Sequence, residues 1–282
     1  SPQVFNDWYG DQDFGWLDEH EAFRLSCNIY FYSVALGVWQ AWRDSDRENV
    51  IQDLARQVGF GSETGIDLTG EAAGVMPDRE LYERRKEIQL EDEDAPQLLD
   101  QARLEAASPW FGGDLMLTAI GQGDVTSTPL QVATAYVTIA NGGTLYRPYV
   151  VGQIRDASGG IVHTAEPEVI GEAGFDRASV TALLEDMNRV VTTGTASAAF
   201  DGFGPSLALV GGKTGTGQSV KSKDNHAWFA GVAPIDDPQY AVAILIDEGG
   251  SGGAVAAPVA RQVFQYLLGE DLDPIRAGEL TD

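Results

Sequence analysis

The sequence predicts an α+β fold, with an antiparallel β-sheet flanked by helices and a mainly helical subdomain beside it. Helical periodicity dominates the first half of the chain, whereas the principal strand-like runs cluster between residues 207 and 246. The last two runs are joined by Pro234-Ile-Asp-Asp-Pro238, a hairpin turn, so the strands pair antiparallel. Helices on either side of this group, Ala178–Val191 and Val255–Leu268, supply the flanking layers. At 282 residues and 43% apolar side chains, the chain suffices for one large domain or two smaller ones around a real core. The helical subdomain is expected over 22–145, a β-hairpin over 146–170, and a helix, three strands and a C-terminal helix over 171–270.

The elements follow in order. Residues 1–20 are aromatic, acidic and glycine-punctuated, and read as loop. From Glu21 to Ala41, Phe23, Leu25, Cys27, Tyr30, Phe31, Val34, Leu36 and Val38 recur at helical spacing. Ser26 and Asn28 lie where this helix should begin or turn. A second helix, Glu48 to Val58, stops at Gly59-Phe-Gly61. Thr64 to Pro77 is broken by glycines and reads as a long ordered loop. Asp78 to Ala107 is dense in Glu, Asp and Arg, which predicts one or two solvated helices or a partly disordered stretch. Gly121 to Val125 is a turn, and Pro129 then opens a helix over Leu130–Ala140 that Asn141-Gly-Gly143 ends. Tyr149–Asp156 and Gly160–Ala165 form a hairpin. Strands are expected at Leu207–Thr216, Ala227–Ala233 and Tyr240–Ile246. There is no internal repeat.

The net charge of −25 argues against nucleic acid and against an anionic membrane surface as partners. It fits either a salty habitat or simple solubility. Of the four lysines (Lys86, Lys213, Lys221 and Lys223), three lie at or just after the first strand, a local positive focus for an anionic ligand group. A solvated pair is the default for Lys221 and Lys223. The single cysteine, Cys27, excludes an intrachain disulfide and reads as a small buried thiol. His20, His163 and His226 have no partner at metal-ligand spacing, so no metal or cofactor is expected. No run reaches the roughly 18–20 apolar residues of a membrane span. No signal peptide opens the chain, so any anchor is expected outside it.

The chemistry concentrates in Leu207-Ala-Leu-Val-Gly-Gly-Lys-Thr-Gly-Thr-Gly-Gln218. In an extended strand Lys213 and Gly215 share one face, and Thr214 and Thr216 the other. Hydroxyls, a cation and unpaired backbone N–H groups on a strand edge suit a carboxylated peptide held for acyl transfer. The glycines allow a substrate backbone to come close. A phosphate loop is excluded, because its first glycine would fall on Leu207. A glycine-rich surface turn and an edge strand protected by a lysine remain open on this stretch alone.

The remaining landmarks are Leu25-Ser-Cys-Asn-Ile-Tyr-Phe-Tyr32, Gly65-Ile-Asp-Leu-Thr-Gly-Glu71, Ala119-Ile-Gly-Gln-Gly-Asp124 with Thr128-Pro-Leu-Gln131, Ile139-Ala-Asn-Gly-Gly143, Gly212-Lys-Thr-Gly-Thr216 and His226-Ala-Trp-Phe-Ala-Gly231. In this order and spacing they resemble the transpeptidase domain of class B penicillin-binding proteins of the elongation type, over residues 22–77 and 108–268. Of the family's three motifs, Ser26-Cys27-Asn28 matches the serine-x-asparagine triplet and Lys213-Thr214-Gly215 the lysine-threonine-glycine. The serine-x-x-lysine is absent: Glu83, Val210, Gln218 and Val220 stand three residues before the lysines. The resemblance implies that the nucleophile lies upstream of Ser1 and that this chain alone is inactive. It also implies two further sheet strands upstream, which would leave Tyr240–Ile246 as an open apolar edge here. An inactive homologue that lost the motif is the alternative.

The resemblance implies a D,D-transpeptidase that cross-links D-Ala-D-Ala stem peptides of peptidoglycan and is blocked by β-lactams. Ser26 would relay a proton to the departing D-alanine, Lys213 would orient Ser26, and Asn28 would bond the substrate amide. Thr214 and Thr216 would bind the terminal carboxylate with help from Lys213, beside Gly215, and the Thr216 N–H would form half of an oxyanion hole. Gln122 and Thr128 would support the site from behind. The implied setting is the extracytoplasmic face of the cell membrane, beside a membrane glycosyltransferase. A carboxypeptidase, a serine β-lactamase, and a β-lactam sensor or inactive scaffold of the same fold are the competing functions. Taken alone, Ser26 and Asn28 are ordinary cap residues and the two threonines ordinary strand residues.

Overall fold

The computed structural model describes residues 4–10, 14–92, 94–218 and 223–272. The run expected as one helix from Glu21 is two helices, α1 (Glu19–Leu25) and α2 (Asn28–Trp42). The break falls at Ser26, which adopts the left-handed conformation at φ 56° and ψ 44°. There the Ser26 and Cys27 N–H groups close on the Phe23 and Ala22 carbonyls, a helix-ending pattern that stops propagation.

Helices α3 (Val50–Gln57), α4 (Arg79–Glu91), α5 (Gln101–Glu105), α6 (Gly112–Ala119) and α7 (Pro129–Ala140) follow. The acidic segment is not simply solvated. Tyr82 of α4 and Leu99 before α5 are buried with Ala35, Trp110 and Leu115 in the core of the helical half. Arg103 makes a two-pronged ion pair with the Asp114 carboxylate, with contacts of 2.7 and 2.8 Å. Leu81 of α4 and Leu104 of α5 pack against the same cluster, so a few apolar residues seat an otherwise charged segment. The Thr64–Pro77 loop is ordered by polar groups, as read from its glycines. Glu71 accepts from the Thr64 N–H and Oγ1 and from the Gly65 N–H. Burial pushes its pKa up, but these bonds outweigh that and hold it below the usual range. The fully buried Gln131 of α7 donates to Ser62 O and Ala73 O, fastening the loop to that helix.

Two small antiparallel ladders come next. Strands β1 (Thr144–Tyr146) and β4 (Val169–Glu172) pair, and between them β2 (Gln153–Arg155) and β3 (Ile161–Thr164) form the expected hairpin, shorter than its sequence run. The β1–β4 pair went unread, because three- and four-residue strands carry too little periodicity.

Helix α8 (Arg177–Thr192) and the short α9 (Ser197–Phe200) lead to the main sheet, β5 (Gly211–Gly217), β6 (His226–Ala233) and β7 (Tyr240–Ile246), antiparallel in that order. The expected strand start at Leu207 is corrected. Pro205–Leu209 is a 3₁₀ turn, and β5 begins only at Gly211. Proline fixes φ in the turn range, and Asn188 of α8 donates to both Leu207 O and Val210 O, holding the turn off the ladder. A π-helical turn, Gly252–Ala256, precedes α10 (Ala257–Leu268). One sheet face packs on α10 through Ala227, Phe229, Ala257, Ala260 and Phe264. The other meets α7 and α8, where Val232 clusters with Leu184 and Met187 and Tyr136 packs against the group. Among the described residues β7 is an outer strand, as expected.

Candidate active site

The site forms because α1 is clamped to α8 and α8 lies along β5. His20 meets Asp186 at 2.8 Å, and Arg24 Nη1 donates to Thr193 O at 2.6 Å. Gly194 makes the contact possible, since a Cβ there would lie 2.6 Å from Arg24 O. The end of α1 is thereby carried to the β5 edge. Lys213 Nζ donates to Ser26 Oγ at 2.8 Å, across 187 residues of chain. It also donates to Thr214 O at 3.0 Å and stands 5.9 Å from the centre of the Phe23 ring. Among the described residues no carboxylate pairs with it. Burial pulls its pKa down from 10.5 to about 8. With Lys213 donating, the Ser26 hydroxyl proton is left free to be donated elsewhere.

Asn28 opens α2 two residues on, and its side chain makes no hydrogen bond among the described residues. Asp7 holds the turn between them. Its Oδ2 accepts from the Ile29 N–H at 3.1 Å and from the Cys27 thiol at 3.2 Å. Tyr9 donates to Cys27 Sγ at 3.0 Å. Cys27 is the buried thiol the sequence predicts, with its pKa pushed up by burial.

The threonines occupy the opposite face of β5, as alternation requires. Thr214 Oγ1 is 2.6 Å from Thr195 Oγ1, and Thr216 Oγ1 accepts from the Gly252 N–H at 3.3 Å. Lys213 is thus placed with Ser26, and the two hydroxyls with the Gly252 turn. That turn sits directly on the sheet backbone. A Cβ on Gly252 would fall 2.2 Å from Gly215 O and 2.4 Å from Trp228 O. Gly215 itself has little room, since its Cβ would be 3.2 Å from Trp228 Cβ.

The cleft beside β5 has a volume of about 720 Å³ and is lined by the Gly121–Gly123 turn, Thr126, Tyr136, Lys213–Gln218 and Trp228. A larger hollow of about 1030 Å³, lined by Tyr9, Phe14, Trp16, Cys27 and Tyr30, includes neither Ser26 nor Lys213. The positive focus is smaller than its sequence, because Lys223 is paired with Glu248. Lys221 lies outside the described residues. Sequence reasoning missed Thr195 and Asp7. The only signal for Thr195 was the Thr192-Thr-Gly-Thr-Ala196 string. Gln122, read as lying behind the site, instead reaches β5 itself, donating to Thr216 O at 2.8 Å.

In chemical terms, the arrangement can hold an extended peptide along β5 and pass a proton through a lysine-held serine. The chain belongs to the penicillin binding protein transpeptidase domain family, which it matches over residues 1–265. It is similar to the peptidoglycan D,D-transpeptidase MrdA of Acinetobacter baumannii, at 32% identity over 96% of this chain and 38% of that protein. For MrdA of Haemophilus influenzae the identity is 29%, over 98% of this chain and 40% of that protein. The fold is similar to that of the PBP2 crystal structure from Pseudomonas aeruginosa, with a TM-score of 0.70 and 29% identity over 97% of this chain and 52% of that one. The chain therefore spans about two fifths of the length of these curated relatives.

Proposed function

We propose that this chain is part of a peptidoglycan D,D-transpeptidase whose nucleophilic serine and its lysine are supplied by polypeptide outside these 282 residues. The observation that carries the reading is the 2.8 Å bond from Lys213 to Ser26 beside β5, an outer strand among the described residues. A donor stem peptide lies along β5. The nucleophile's oxygen attacks the penultimate D-alanine carbonyl, and its proton passes through Ser26 to the nitrogen of the departing D-alanine. The acyl-enzyme is then resolved by the amine of a second stem peptide, which restores the serine and leaves a cross-link.

Lys213 fixes Ser26 and adds positive potential. Asn28, with its side chain unengaged among the described residues, bonds the substrate amide. The Thr216 N–H serves the oxyanion, a donor typically worth about 3–4 kcal/mol. Thr214 and Thr216 receive the terminal carboxylate by hydroxyl donation, Thr195 acting through Thr214. Gly215 lets the substrate backbone approach. A β-lactam stalls the same site at the acyl stage. The setting is the outer face of the cell membrane. Among the described residues no helix is long and apolar enough to cross it. A membrane glycosyltransferase is the expected partner. A similar solved structure, at TM-score 0.72 and 27% identity, belongs to a peptidoglycan synthase complex described as coordinating polymerization and crosslinking.

Fluorescent penicillin tests the reading. The full-length protein is expected to be labelled covalently, and Lys213→Ala is expected to remain folded and unlabelled. Absence of label on the full-length protein favours an inactive scaffold. Normal labelling of Lys213→Ala removes the role given to that lysine.

A further inference from the structure

The free edge of β5 is not empty. Thr216 C=O and Gln218 N–H flank Gly217 and point away from β6, as groups on alternate residues of an antiparallel edge do. Both are engaged by one side chain. Gln122 Nε2 donates to Thr216 O at 2.8 Å, and Gln122 Oε1 accepts from the Gln218 N–H at 3.2 Å. A glutamine amide carries the same N–H and C=O as a peptide group, so Gln122 makes the two bonds that a peptide laid along β5 would make at Gly217. The side chain is aimed by its turn. Gly121 and Gly123, at φ 71° and 69°, bend the backbone on either side of it. Asp124 then anchors the turn, accepting from the Tyr82 hydroxyl at 2.7 Å and pairing with Arg85. Gln122 is only half-buried, so the side chain can swing away while the anchored turn stays.

We propose that Gln122 is a placeholder for the donor backbone and thereby a specificity-determining residue. It keeps the β5 edge paired in the empty site and surrenders Thr216 C=O to ligands that bring an amide N–H of their own. The inference rests on the acyl-transfer reading above. Ligands with such an N–H displace Gln122, whereas ligands without one bind beside it.

The test uses the full-length protein and two β-lactams, benzylpenicillin, which carries an acylamino N–H, and imipenem, which does not. Wild-type acylation by either drug is measured first, and failure there overturns the acyl-transfer reading together with the inference that rests on it, whereas the variant arms below overturn the inference alone. Given acylation, Gln122→Ala is expected to raise the second-order rate constant for benzylpenicillin about 3- to 10-fold, the scale of one net hydrogen bond. The gain should lie in the binding constant, with the limiting acylation rate and the imipenem rate unchanged. Gln122→Glu, which cannot donate to Thr216 O, is expected to change in the same direction and serves if the alanine variant does not fold. A fall with both drugs, an equal change with both, or no change with benzylpenicillin overturns the proposal.

Discussion

Lys213 is a half-buried ammonium with a serine, a carbonyl and an aromatic ring for company, and no carboxylate among the described residues. Its folded-state pKa of about 8 lies below the ordinary 10.5. Between these values the unfolded chain binds more protons than the folded one, so this residue makes stability rise with pH from about 8 to 10.5. Below pH 8 the full cost of holding the charge is present. Lys213→Met is therefore expected to melt a few degrees higher than wild type at pH 7. The difference should close as the pH passes 10.5, as followed by thermal unfolding across that range. The same titration governs chemistry. Above pH 8 the amine no longer donates as an ammonium to Ser26, so penicillin acylation should change through that pH. In Lys213→Arg, whose guanidinium stays charged, any acylation that remains should lose that inflection. Ser26 and Lys213 were both legible as candidates from their motifs. Their 2.8 Å contact was not, because no local rule links residues 187 apart.

The elements differ in how far short-range signals fixed them. Helix α7 follows its sequence closely. Thr128 caps it, Pro129 opens it, and Gly142 and Gly143, at φ 91° and 118°, end it. The start of β5 and the break between α1 and α2 did not follow apolar periodicity, because side-chain bonds from Asn188 and backbone closure at Ser26 prevailed. The Gly252 turn is the element on which the rear of β5 depends. Gly252→Ala would drive a methyl into the Gly215 and Trp228 carbonyls. It is expected to cost about 1–3 kcal/mol in urea unfolding. It should also slow penicillin labelling of the full-length protein, because Thr216 loses the Gly252 N–H that positions its hydroxyl.

At the scale of the whole molecule, two half-structures meet at the cleft. The helical half lines it with the Gly121–Gly123 turn and the sheet half with β5, whose Lys213 bonds Ser26. The sheet half is held by stacked Phe200, Phe203 and Phe229, with Phe264 of α10 fully buried against the same cluster. Phe264→Ala is expected to cost about 3–5 kcal/mol through the cavity it leaves. One cooperative unfolding transition, rather than an early loss of α10 alone, would show that the helix and sheet form one unit. The net charge of −25 is carried mainly outside this core, so added salt should screen self-repulsion without altering the Phe264 effect.

The amino-acid sequence by itself determined the α+β class, the order of the main helices and strands, and the residue types of the site, because periodicity, caps and motifs act over a few residues. It also carried the family, through landmarks whose order survives even where single motifs are weak. Tertiary structure alone decided which of those residues meet. The clamp of α1 on α8 brings Ser26 to Lys213, the seat of the Gly252 turn puts its N–H on the Thr216 hydroxyl, and an anchored turn places Gln122 on the strand edge. These contacts join segments far apart in the chain, and their geometry is set by packing rather than by any local preference.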